Sequence, residues 1–279
     1  MNDKQQKIIA QIVRLCAQDK AFDTELRNHL SIAPVAELST ASGEQLEEIY
    51  EYCIAKVVQR QAQEFYADMP SELQDDCLVE DFCRMEAFRR KGCFGDFALA
   101  LYQQLEHITN RLFADTSLQS LIHAMWHCSA YVNSRGLKDD QLSVANRTDS
   151  TYTIARLLFF DKASTKCKTP LSQQTANDKM RIVVYFVGYK AIMKSSDYSA
   201  YLEQTKLLKE IYLCRNMNHR GSTQTPYAQD TLEHILSHQS VYYLKFLGAL
   251  TQFVEQIKEG WPAIPSTLSY AQTLLNESN

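Results

Sequence analysis

Apolar residues recur along this chain at i, i+3, i+4 and i+7, the period of a helix with one face on a core. Residues 3–19 carry Ile8, Ile9, Ile12, Val13 and Leu15 in that spacing. A short helix is predicted over 23–31, and Pro34 breaks the chain after it. Ser42-Gly43-Glu44-Gln45 opens a long amphipathic segment whose stripe is Leu46, Ile49, Tyr50, Cys53, Ile54, Val57 and Val58. Met69-Pro70-Ser71-Glu72 reads as a stop and a restart, because proline is tolerated only outside a helix interior. Residues 71–90 follow as a helix, acidic at first and then basic at Arg84, Arg89, Arg90 and Lys91. Gly92 and Gly95 mark a kink or junction. Residues 94–113 carry the cleanest stripe, with Phe94, Phe97, Ala98, Leu101, Leu105, Ile108 and Leu112.

The pattern continues as a helix over 117–131, a polar loop over 133–150, a helix or strand over 151–160, and a polar stretch over 161–177 around Pro170. Residues 182–187 (IVVYFV) are β-rich in composition, and so short an apolar run has no decisive period. Flanked by helical patterns and without a partner strand, they read as helix interior. Helices are predicted over 198–219 and, after a turn at 221–226, over 229–258, where Leu232, Ile235, Leu236, Tyr243, Phe246, Leu250, Phe253 and Ile257 line one side. Gly260, Pro262 and Pro265 end it, and a short helix over 266–276 closes the chain. The sum is an all-α protein, an antiparallel helical bundle over 81–279 with an N-terminal helical extension over 1–80. No internal repeat, Rossmann, P-loop or barrel signature appears.

Composition narrows this picture. The 279 residues suit one large domain or two modest ones. Hydrophobic residues make up 45% and charged ones 22%, a globular balance that excludes bulk disorder. Eight Gly and six Pro are too few for an all-β fold, which turns roughly every 8–12 residues. A net charge of −4 excludes a strongly basic nucleic-acid coat and leaves room for a local basic patch. The eight cysteines include no C-x-x-C pair, so the common zinc and thioredoxin-like spacings are absent. The start mixes charges into its apolar positions, unlike a signal peptide, and no apolar run approaches the roughly 20 residues that span a bilayer. The expectation is a cytoplasmic chain without membrane association, its free thiols serving as small buried hydrophobes.

The most unusual string is Leu213-Cys214-Arg215-Asn216-Met217-Asn218-His219-Arg220-Gly221, where an amphipathic helix approaches a glycine stop. Arg215 and His219 are four apart and project from nearly one face, at the edge of the core marked by Leu208, Ile211 and Tyr212. An arginine fork grips a phosphate bidentately, and a histidine moves a proton near neutral pH. Together they suffice for RNA cleavage without metal, the ribose 2′-hydroxyl attacking, His219 acting as acid or base and Arg215 clamping the scissile phosphate. The structural alternative is that both residues serve the negative end of the helix dipole. Arg84, Arg89, Arg90 and Lys91 form the densest basic cluster, with Phe88 and Phe94 nearby, and read either as an RNA contact or as a solvated helix end. His123 and His127, beside Cys128, have a spacing that can hold a metal but lack a second ligand pair, so no metal site is assigned. Glu106, followed by His107, can orient a catalytic side chain or pair with Arg215. His234 and His238 either approach the Arg215 motif or face solvent.

Arg215-Asn216 followed by His219, on the penultimate long helix of an all-helical chain, resembles the HEPN superfamily. The stretch Arg89-Arg90-Lys91-Gly92-Cys93-Phe94-Gly95-Asp96-Phe97-Ala98 running into Leu101 to Glu106 is similar to that family's first core helix. The resemblance spans about residues 84–258 and leaves the first 80 outside it. It implies a four- or five-helix bundle that dimerises, placing two Arg/His pairs in one cleft. It also implies a metal-independent endoribonuclease of CRISPR, toxin–antitoxin or abortive-infection systems, with no cofactor. Arg215 and His219 would be catalytic, Asn216 would fix orientation, and Arg220, Arg89, Arg90 and Lys91 would bind RNA. Three residues separate Arg215 from His219, where the family spaces the two more widely. Members that have lost the motif only bind, which leaves a non-catalytic protein binding RNA, a nucleotide or a protein partner as the rival class. Any gating would come from a partner or from the N-terminal extension.

Overall fold

Asp19 turns one helix into the next. Its carboxylate accepts from the backbone N–H groups of Ala21 (3.0 Å) and Phe22 (3.1 Å), so it ends α1 (Asp3–Gln18) and caps α2 (Lys20–Leu30). The computed structural model describes residues 3–30, 43–127, 173–191, 199–216, 226–266, 268, 269 and 273, and the chain divides into two units, Met1–Glu64 and Phe65–Asn279. In the first, Ile8 and Ile12 of α1, Phe22 and Leu26 of α2, and Ile49 and Cys53 of α3 (Gly43–Tyr66) bury one another. Burial pushes the Cys53 thiol up to about 11. Lys56 pairs with Glu25 and Arg60 with Asp19 across the same helices, half-exposed contacts worth at most about 1 kcal/mol each. The apolar cluster therefore holds this unit together.

The second unit begins before the expected limit at residue 80, because Tyr66, Met69, Leu73 and Leu78 are buried in the larger core. A 3₁₀ turn (Ser71–Leu73) leads to α4 (Asp76–Arg90), and Gly92, at a φ of 72° that favours glycine, turns the chain into α5 (Phe94–Ala114). Twelve of the 21 residues of α5 are buried, too many for one stripe, so other helices must cover it on several sides. Cover comes from α4, α7 (Ala176–Val183), α8 (Ser199–Arg215) and α10 (Gln239–Gly260), while α6 (Thr116–His127) follows α5 directly and α9 (Pro226–Ser237) leans on α8 and α10. No strand occurs among the described residues, and the all-α expectation holds.

Several polar side chains inside this core pair with one another. Gln104 of α5 accepts from the Tyr66 hydroxyl at 2.7 Å and donates to the Ala100 carbonyl at 3.2 Å. Gln204 of α8 and Gln256 of α10 exchange two amide hydrogen bonds, 3.0 and 2.8 Å. Thr175 caps α7, its hydroxyl accepting from the Asp178 amide at 3.2 Å and donating to the Asp178 carboxylate at 2.8 Å.

Residues 182–187 are helical, as their flanks imply, but the helix widens to a π-helix over Val184–Ala191. A Cβ at Gly260 would overlap the Val187 carbonyl, so the end of α10 approaches this segment more closely than any other residue allows. The single helix expected over 229–258 is instead two, α9 and α10, broken at His238 (φ −126°, ψ 33°). The Ser237 hydroxyl (2.9 Å) and His238 Nδ1 (2.9 Å) both engage the His234 carbonyl. Side chains compete there for a carbonyl that a continuous helix would use. Residue 217 onward of the helix expected over 198–219, and the stretches 128–172 and 274–276, lie outside the described residues. No described helix is long and apolar enough to cross a membrane.

The amide pair makes a checkable prediction. Gln204→Leu alone strands the Gln256 amide in the core and should cost about 1–3 kcal/mol in urea unfolding. Adding Gln256→Leu should recover most of that loss.

Candidate functional site

Arg215 ends α8, whose Leu208, Ile211 and Cys214 are buried. Burial pushes the Cys214 thiol up to about 12, so that cysteine is a packing residue rather than a nucleophile. Arg215 itself sits at the core's edge, half-buried. Its guanidinium carbon lies 5.3 Å from the ring centroid of Tyr102 on α5, a cation–π contact. One terminal nitrogen donates to the Asn216 side-chain oxygen at 2.9 Å. The Nε is buried and has no hydrogen-bond partner among the described residues. Tyr212, one turn before Asn216, packs against Tyr102 with ring centroids 5.9 Å apart. The Tyr102 phenol is pushed up to about 12, first by burial and then by Glu106 one turn along α5, while Arg215 pulls it back. Glu106, Tyr102, Tyr212, Arg215 and Asn216 therefore share one neighbourhood.

A guanidinium stacked on a ring and tied by a neighbouring amide has lost most of its rotamer freedom before any ligand arrives. His219 and Arg220 lie outside the described residues, as do the side chains of His123 and His127.

The basic cluster is largely neutralised by its own helix. Arg89 forks onto Glu86 (Nε to the two oxygens at 3.0 and 2.9 Å, Nη2 at 2.7 Å). Arg84 donates to Asp81 and to Gln103, both at 2.7 Å. Arg90 and Lys91 are exposed at the end of α4. His234 and His238 face solvent, their ring centroids 4.5 Å apart. Among the described residues no three His, Cys, Asp or Glu side chains group to hold a metal.

A cluster that the sequence did not reveal joins α4 to α5. Asp75, the N-cap of α4, accepts from the Cys77 N–H at 2.9 Å, from His107 Nε2 at 3.1 Å and from Arg111. Arg111 also donates to the Glu72 carbonyl at 2.9 Å. His107 thus pairs with a residue 32 positions upstream rather than with its neighbour Glu106. The Asp-Asp pair before an apolar run signals a helix cap, but nothing local signals the histidine and arginine that meet it. With so many donors, Asp75 is a clamp between helices rather than a reacting group. The Cys77 amide, then the Cys77 thiol and His107, hold its carboxyl down at about 2.

No protein-family model, curated protein or solved structure matches this chain.

The depressed Asp75 value sets a pH dependence. Its folded-state value lies below the unfolded one, near 3.9. The clamp therefore contributes fully above that pH and is lost as pH falls through about 2. Asp75→Asn should be less stable than the parent at pH 7, and the gap in Tm should close as pH is lowered from about 5 to 2.

Proposed function

We propose that this chain is a metal-independent endoribonuclease of HEPN type, acting in antiviral defence or as a toxin. The observation that carries the reading is Arg215, stacked on Tyr102, tied to Asn216, and holding a buried donor with no partner among the described residues. A dianionic phosphorane is the species such a fork serves best, because charge builds on the non-bridging oxygens only in the transition state. In the proposed reaction the ribose 2′-oxygen bonds to phosphorus as His219 takes its proton. The 5′-oxygen leaves and is protonated, giving a 2′,3′-cyclic phosphate. One histidine supplies one proton-transfer group, and a second copy of the chain in a dimer supplies another.

The neutralised basic cluster favours a second reading. With Arg84 and Arg89 held by Asp81 and Glu86, the surface near α4 offers little net charge to a polynucleotide. In that reading the short Arg215-to-His219 spacing marks lost activity, and the domain binds a partner without cleaving it.

Mixed RNA incubated with the purified protein in EDTA separates the two. Cleavage should persist without metal and fall about 10²–10³-fold in Arg215→Ala and in His219→Ala, the usual cost of removing one group that stabilises the transition state. Unchanged cleavage in both variants refutes the assignment of these residues, and intact RNA at high protein concentration favours the binding module.

A further inference from the structure

His234 and His238 stand where α9 ends and α10 begins, four residues apart and both exposed. His238 Nδ1 lies 2.9 Å from the His234 carbonyl, which can only accept, so that nitrogen carries the hydrogen. The Ser237 hydroxyl donates to the same carbonyl at 2.9 Å and lies 3.0 Å from the same Nδ1, sharing its hydrogen as an acceptor. In the neutral ring the lone pair is then on Nε2, away from the backbone. A metal-binding imidazole is held in this way, its other N–H given to a backbone carbonyl.

The second ring is also placed in advance. His234 packs edge-on against Tyr242, with centroids 6.1 Å apart and planes at 87°, and Tyr242 is itself buried. The two imidazole centroids are 4.5 Å apart with planes at 37°. For a metal–nitrogen bond of roughly 2.1 Å, two imidazoles at the right angle of square-planar or octahedral coordination have centroids roughly 4.6 Å apart. The rings already stand at the separation that a shared ion requires.

We propose that His234 and His238 form a two-imidazole chelate for a late first-row divalent ion of square-planar or octahedral geometry, Cu²⁺ or Ni²⁺, with water filling the remaining positions. Imidazole donors select these metals over Mg²⁺ or Ca²⁺. No third His, Cys, Asp or Glu joins the pair among the described residues, so the ion is open to solvent and exchangeable rather than structural. Once bound, it ties the last turn of α9 to the N-cap of α10 at the break. The site stands whether or not Arg215 acts on RNA.

Titration of the full chain with Ni²⁺ by calorimetry tests it. The strongest site should weaken at least about tenfold in His234→Gln and in His238→Gln, as when a chelate is reduced to a single ligand. It should be unchanged in His123→Gln, which removes one imidazole of the chain's other i, i+4 pair. Both tested positions are exposed, and equal far-UV helicity will show that the variants fold. Excess Ni²⁺ should raise the Tm of the parent and of neither variant, since an ion stabilises only the state that binds it. Undiminished affinity in both His234→Gln and His238→Gln, or a strongest site lost in His123→Gln instead, overturns the proposal.

Discussion

A helix buried on most of its circumference cannot be satisfied by one neighbour, and α5 is such a helix. Phe97, Leu101, Leu105, Ile108 and Leu112 supply one stripe, while Ala98, Tyr102, Thr109 and Phe113 extend the apolar surface well beyond it. Each fully buried large side chain contributes roughly 1.5–3 kcal/mol relative to exposure, so leaving any of these faces in water is costly. Four helices, α4, α7, α8 and α10, therefore pack against α5. The buried Gln104, Gln204 and Gln256 adapt to the same constraint. Gln104 finds the Tyr66 hydroxyl, and Gln204 finds Gln256, because an amide left alone at that depth would cost more than either hydrogen bond gains.

The candidate site grows from this packing. Tyr102 is buried because α8 crosses α5, and the crossing delivers the last residue of α8, Arg215, to the ring face. The contact is worth about 0.5–2 kcal/mol, depending on how well water is excluded. That modest energy still selects one orientation of a side chain that would otherwise sweep through solvent. Arg84 and Arg89 are charged to the same degree, yet carboxylates on their own helix hold them. What distinguishes Arg215 is its position at a helix end against a buried aromatic ring, not its charge.

Polar competition for single carbonyls and carboxylates accounts for the helix ends. Asp75 starts α4 by capping it and then links it to α5 through His107 and Arg111. His238 and Ser237 divert the His234 carbonyl and split what the apolar pattern presents as one helix. The hydrophobic period runs through this break without a mark, because the same faces of α9 and α10 stay buried on either side of it.

The helical period, the scarcity of glycine and proline, and the capping residues determined the all-α class and most helix limits, since these depend on side chains within one or two turns of each other. Residues 182–187 were legible as helix only from their flanks, and neither their widening into a π-helix nor the close approach of Gly260 to Val187 was legible at all, because both involve segments far apart in the chain. Arg215 and Asn216 stood out as an uncommon string at a helix end, while the Tyr102 ring beneath the guanidinium, more than a hundred residues upstream, did not. Likewise the spacing of His234 and His238 was visible, but the carbonyl that orients one ring and the tyrosine that backs the other were not. Local periodicity is written in the chain, because each residue meets its helical neighbours in any fold. Which distant side chain meets a given charge is decided only when helices cross, since that partner is chosen by packing around a buried helix and not by distance along the sequence.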